Sequence, residues 1–81
     1  MNIKVLGPGC MNCKTLERRV KETVDELHID ATIEKVEAYE AIASYGIMRT
    51  PGLVIDGKVV AAGFVPPVEK IKEMLLAHRS A

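Results

Sequence analysis

The two cysteines of the chain, Cys10 and Cys13, are separated by two residues in the stretch GPGCMNC, directly after a short apolar run. Thiols at this spacing can exchange electrons, supply ligands to a soft metal ion, or form a structural crosslink. Disulfides are rare in a reducing cytoplasm, where they are usually catalytic or redox-sensing. The structural crosslink is therefore a disfavoured interpretation.

Composition limits the compartment and the partners. With 81 residues, the chain is expected to form a single domain, residues 1–81. Eleven basic residues balance eleven acidic ones, which gives neither the basic surface typical of nucleic-acid binding nor an acidic tail. The N-terminal apolar stretch is too short for a signal peptide, and no run approaches the roughly 20 residues of a membrane span. We expect a soluble, cytoplasmic monomer without nucleic-acid or membrane partners.

Hydrophobic periodicity predicts the elements that position the cysteines. Residues 2–6 alternate apolar and polar side chains before a Gly-Pro-Gly segment, as a strand followed by a loop does. Residues 11–28 have apolar side chains at helical spacing, with charged residues such as Glu17 assigned to the opposite, polar face. The apolar positions are Leu16, Val20, Val24 and Leu27. Cys10 is thus expected at the start of a helix, and Cys13 on its buried stripe.

The rest of the chain predicts further strands and helices. Residues 29–36 read as a second strand that weakens at Lys35, and residues 38–46 as a short helix closed by a glycine. Residues 52–63 contain two β-rich runs around Asp-Gly, a strong hairpin signal. Pro66-Pro67 opens a last amphipathic helix.

This order gives an α/β fold, β-α-β-α-β-β-α. A strand-helix-strand start favours a parallel pair with a right-handed crossover, and the hairpin adds antiparallel strands to the same sheet. We therefore predict a four-stranded mixed sheet with helices on both faces.

The C-x-x-C after the first strand, Thr50-Pro51 before the hairpin and this element order resemble the minimal thioredoxin or glutaredoxin fold. Over nearly its whole length the chain is similar to small prokaryotic thioredoxin-like redox-active disulfide proteins. The resemblance implies a thiol–disulfide oxidoreductase that reduces protein disulfides through a Cys10–Cys13 disulfide, without another cofactor. The partners it implies are disulfide-containing proteins and an electron donor of the thioredoxin-reductase type.

The resemblance and the chemistry of thiols together assign different roles to the two cysteines. A helix N-terminus favours the thiolate, the form that attacks a disulfide, so Cys10 is the predicted nucleophile. Cys13 lies one helical turn later, within disulfide reach, and is the predicted resolving thiol. Its place on the apolar stripe is expected to raise the pKa of the Cys13 thiol.

Three further residues are predicted to contact substrate because of the resemblance. It implies a cis peptide before Pro51, pairing of the Thr50 backbone with an extended substrate, and close backbone approach at Gly63. The chain also departs from many thioredoxins, since the first strand offers no acidic proton acceptor, only Asn2 and Lys4 as polar residues.

Two alternative functions use the same cysteines. A soft-metal module would bind Cu(I) or zinc through the C-x-x-C motif, although His28 and His78 are not at ligand spacing from the thiols. A non-enzymatic thiol switch would use the disulfide to regulate a partner. The sequence leaves both alternatives open.

Overall fold

The computed structural model describes residues 1–9 and 11–79, within which the chain forms four strands and three helices. The elements are β1 (Asn2–Leu6), α1 (Met11–Glu26), β2 (Thr32–Val36), α2 (Tyr39–Ser44), β3 (Gly52–Ile55), β4 (Lys58–Ala62) and α3 (Val68–Arg79). The predicted β-α-β-α-β-β-α order is confirmed.

The strands form one mixed sheet in the order β2-β1-β3-β4. β1 pairs with β2 in parallel, whereas β3 is antiparallel to both β1 and β4. Asp56 and Gly57 join β3 to β4 with φ values of 48° and 84°, the two positive angles of a tight hairpin turn. The Asn2 backbone N–H donates a 2.7 Å hydrogen bond to Asp56 Oδ1, which ties this turn to the start of β1.

Helices cover both faces of the sheet, as predicted. α1 and α3 enclose the larger core with alternate residues of the two central strands. Its fully buried members include Ile3, Leu16, Val20, Leu53, Ile55, Ile71 and Leu75. On the opposite face α2 packs Ile42 against Leu6 and Val54. Lys4 Nζ donates a 3.1 Å hydrogen bond to the hydroxyl of Tyr45, beside the end of α2, and this bond raises the pKa of Lys4 above its ordinary value.

The second strand differs from its predicted extent. Helix α1 is followed by His28 at φ 54°, and the N–H of Ile29 donates to the carbonyl of Val24 at 3.1 Å, a bond typical of helix ends with a left-handed residue. Ile29 and Ala31 pack against the core from an irregular segment, which is why their alternation resembled a strand. Lys35 lies inside β2, opposite Val5.

Within the described ranges, none of the helices combines the length and apolar character that a membrane crossing requires.

Replacing Leu16 with alanine should destabilise the protein by about 2–5 kcal/mol, because the Leu16 side chain of α1 is 0% exposed in the core. Leu76→Ala is the matched control: Leu76 is 44% exposed on α3, so its loss should stay within about 0.5 kcal/mol. Urea unfolding of both variants under reducing conditions measures the difference. Equal losses would contradict the assignment of Leu16 to the core beneath the cysteine motif.

Candidate functional site

The first of the two cysteines, Cys10, lies outside the described residues. The chain reaches it through Gly9, which is exposed and has φ 93°, and continues from it into α1 at Met11. The site is therefore built here from Cys13 and from the segments that meet around it.

Cys13 is held against the loop that follows β1. It is only 5% exposed, although it belongs to the first turn of α1. Gly7 is buried beneath it and donates its N–H to the carbonyl of Val36 at 2.8 Å, extending the pairing of β1 with β2. A β-carbon at position 7 would overlap the Cys13 Sγ and lie 3.2 Å from the Cys13 Cβ. Only glycine permits this approach of backbone to sulfur.

The Thr50-Pro51 segment reaches the same place from the start of β3. The Thr50–Pro51 peptide is cis, as the resemblance implied, and Pro51 is fully buried. A β-carbon at position 7 would also lie 3.7 Å from the Cβ of Thr50. Gly7 is thus flanked by Cys13 and Thr50, two residues that are 37 positions apart in the sequence.

Gly63, the residue after β4, supports this segment. It has φ 84°, and its N–H donates a 2.9 Å hydrogen bond to the carbonyl of Pro51. A β-carbon on Gly63 would lie 3.1 Å from the Cβ of Arg49. Gly63 is therefore hydrogen-bonded to Pro51, and both Thr50 and Cys13 lie beside Gly7.

A small cavity beside Cys13 is lined partly by residues that the sequence did not identify as candidate site residues. It has a volume of about 30 Å³ and is lined by Val5, Gly7, Cys13, Lys14, Glu17 and Lys35. The side chain of Glu17 is only 16% exposed, and its Oε2 lies 3.8 Å from Lys35 Nζ and 3.9 Å from Lys21 Nζ. Glu17 therefore lies on the charged side of α1, close to two lysines, but with its side chain largely covered. It follows Cys13 by four residues, and residues four apart on a helix share a face.

Exposed apolar side chains accompany the same segments. Met48, two residues before Thr50, is 98% exposed. Met11, within the C-x-x-C motif, and Phe64, next to Gly63, are exposed as well. A surface groove with Tyr39, Ile47, Met48 and Thr50 in its lining runs from α2 to the cis peptide. The apolar part of this lining makes the groove a candidate surface for contact with another protein.

The two histidines are grouped elsewhere. His28 and His78 line a separate surface cavity with Asp30 and Asp56, near the turn between β3 and β4. Among residues 1–9 and 11–79, no three side chains of the His, Cys, Asp or Glu type are grouped so that they could hold a metal ion.

Comparisons with known proteins agree with this architecture. The family model described as a thioredoxin domain matches residues 1–76. A thioredoxin from Methanothermobacter thermautotrophicus is 41% identical over 75 residues, which are 93% of this chain and 97% of that protein. A thioredoxin from Methanocaldococcus jannaschii is 41% identical over 76 residues, 94% of this chain and 87% of that protein. Fold and relatives define a thiol–disulfide oxidoreductase. The chain belongs to the thioredoxin family.

Gly7→Ala should destabilise the reduced protein by about 1–3 kcal/mol, because its β-carbon overlaps the Cys13 sulfur. In a Cys13→Ala background the overlap with sulfur is gone, and the same substitution should cost at least about 1 kcal/mol less. A double-mutant cycle measured by urea unfolding with dithiothreitol present gives this coupling. Additive losses would mean that the two residues are not in contact.

Gly63→Ala and Gly57→Ala form a matched pair, since both glycines have φ 84° and only Gly63 has a side chain, that of Arg49, in the way of a β-carbon. Each variant should lose about 1–2 kcal/mol from the left-handed backbone. Gly63→Ala should lose more, and should alone shift the amide resonances of Arg49 and Thr50. Unfolding free energies and NMR spectra test this, and identical effects would exclude the Arg49 contact.

Proposed function

We propose that Cys10 and Cys13 form a redox-active disulfide with which the protein reduces disulfides in other proteins. The observation that carries the proposal is the burial of Cys13 against Gly7, beside Thr50 and the cis peptide, in a chain of the thioredoxin family. A thiol held in one orientation by backbone is positioned for an intramolecular attack.

The proposed reaction has two exchange steps. The Cys10 thiolate attacks one sulfur of a substrate disulfide, and the other substrate sulfur leaves with the electron pair of the broken S–S bond and takes up a proton. The Cys13 thiolate then attacks the Cys10 sulfur of the mixed disulfide. This forms the Cys10–Cys13 disulfide and releases the second substrate thiolate, so that the substrate gains two electrons and the protein loses two.

The surface around Cys13 supports a protein as the substrate. The backbone of Thr50 is proposed to pair with an extended substrate segment, as an added strand does. Gly63 supports that segment of the chain through its hydrogen bond to Pro51. The exposed side chains of Met11, Met48 and Phe64 provide apolar contact area at the same place.

The compartment and the electron donor follow from the same proposal. A dithiol that must be reduced again after each cycle suits the reducing cytoplasm, and we propose that the protein works there as a monomer. The electrons would come from a donor of the thioredoxin-reductase type, and no cofactor besides the disulfide would be needed.

A redox titration of metal-free protein across a dithiothreitol series tests the proposal, with each cysteine scored by alkylation and mass. A single Cys10–Cys13 couple between about −180 and −280 mV is expected, in the range of thiol oxidoreductases. Catalysed reduction of insulin by dithiothreitol distinguishes turnover from a thiol switch. No intramolecular couple, or one below about −300 mV, would favour the soft-metal or structural alternatives instead.

The two cysteine variants should behave differently. Cys13→Ser keeps the proposed nucleophile but cannot resolve the intermediate, so it should accumulate mixed disulfides with substrate proteins. Cys10→Ser should lose exchange activity. Non-reducing electrophoresis and mass spectrometry of both variants, incubated with oxidised insulin, give the comparison; equal behaviour would refute the assignment of roles.

A further inference from the structure

The proposed resolving step leaves open where the proton of Cys13 goes. Only a thiolate attacks a disulfide, and a thiol enclosed by apolar atoms holds its proton more tightly than one in water. Cys13 is 5% exposed and packs against Gly7. The polar side chains of β1 are Asn2 and Lys4, neither of which is a carboxylate. β1 therefore supplies no carboxylate that could accept the proton.

Glu17 is placed to serve Cys13 by the geometry of α1. Helical side chains tilt toward the helix N-terminus, so the side chain of residue 17 covers the turn that contains residue 13. Both residues line the same cavity. Its volume, about 30 Å³, exceeds the roughly 10–15 Å³ that one water molecule needs. The cavity is therefore large enough to hold one water molecule.

Two lysine side chains lie close to the Glu17 carboxylate beside the cavity. Lys35 from β2 and Lys14 from α1 line it, and Lys35 Nζ lies 3.8 Å from Glu17 Oε2. Lys21 approaches the same oxygen to 3.9 Å from the next turn of α1. On the far side of the motif, a β-carbon on Gly9 would lie 3.9 Å from Glu37 Oε2. Of these groups, Lys14, Glu17 and Lys35 line the cavity itself.

We propose that Glu17 is the proton acceptor for Cys13 in the resolving step, acting through one water molecule in this cavity, with Lys35 holding the carboxylate in place. The proposal rests on the proposed function, since it concerns the second exchange step. The proposed proton acceptor thus belongs to α1, one turn after Cys13, rather than to β1, the strand beneath the motif.

The proton and the electrons balance in this step. The Cys13 thiol gives its proton to the water molecule, which passes one of its own to the Glu17 carboxylate. The Cys13 thiolate forms a bond to the Cys10 sulfur, the bond between Cys10 and the substrate sulfur breaks, and the substrate leaves as a thiolate. Glu17 then returns its proton to solvent through the open side of the cavity.

Ellman's reagent, 5,5′-dithiobis(2-nitrobenzoate), separates the two steps. Added in equal amount to the reduced protein, it should release one thionitrobenzoate when Cys10 attacks and a second when Cys13 resolves the mixed disulfide. Both phases are followed by stopped-flow absorbance between pH 5.5 and 9. Glu17→Gln is the test variant, and Glu22→Gln is the control because Glu22 is exposed on the same helix.

In Glu17→Gln the second phase should be about 100-fold slower at pH 6. It should approach the wild-type rate near pH 9, where hydroxide removes the proton without a carboxylate. The first phase should be unchanged, and Glu22→Gln should match wild type in both. A second phase that is unchanged at every pH would overturn the role of Glu17. A second phase that is slowed equally at every pH would also overturn it, because that result indicates that the substitution has displaced Cys13.

If circular dichroism shows that Glu17→Gln does not fold, a second pair of variants provides the test. Glu17→Asp retains the carboxylate and Glu17→Asn is its neutral isostere, so the pH-dependent second phase should persist in the first and be lost in the second. Equal rates in the pair would also overturn the proposal. Wild-type protein that releases a single thionitrobenzoate would overturn the proposed function and Glu17 with it, whereas normal wild-type release with unaffected variants removes only Glu17.

Discussion

The close approach of the Gly7 backbone to the Cys13 sulfur is the constraint on which the site depends. Gly7 is fixed by its hydrogen bond to Val36, so its position follows from the pairing of β1 with β2. Cys13 is fixed by the burial of Leu16 and Val20 on the same stripe of α1. Sheet and helix therefore determine separately where backbone and sulfur lie, and only a residue without a side chain satisfies both.

Packing around this contact balances two opposed requirements. Burial of Cys13 shields the sulfur from solvent and gives it one orientation, but it also disfavours the charged thiolate. The cavity with Glu17 and Lys35 brings polar groups to the same sulfur from the side of α1 and β2. On the other side, Thr50 closes the site with a segment that Gly63 holds by hydrogen bonding to Pro51. The polar side chains near Cys13 thus come from α1 and β2, whereas the segment that closes the other side of the site is the one that contains Thr50 and Pro51.

Features with strong local causes were predictable from sequence. The Asp56-Gly57 turn requires two positive φ angles, and the stripe of α1 follows the helical period. The start of β2 was misjudged because Ile29 is partly buried by a turn after α1, which gives the same alternation as a strand. The approach of Lys35 to Glu17 was not predictable, because β2 brings Lys35 beside α1. Contacts between distant segments leave no local pattern.

The pairing of β3 with β4 shifts its register between Leu53 and Val54, and this irregularity has a consequence for self-association. β2 and β4 are the outer strands of the four-stranded sheet, and outer strands offer unpaired backbone groups to any extended chain. The shift interrupts the regular ladder of β4, which also begins with the charged Lys58. β2 carries Glu34 and Lys35 along its length. The outer strands of the sheet are thus poor templates for pairing with another chain. This matters for a protein whose proposed substrates present extended segments.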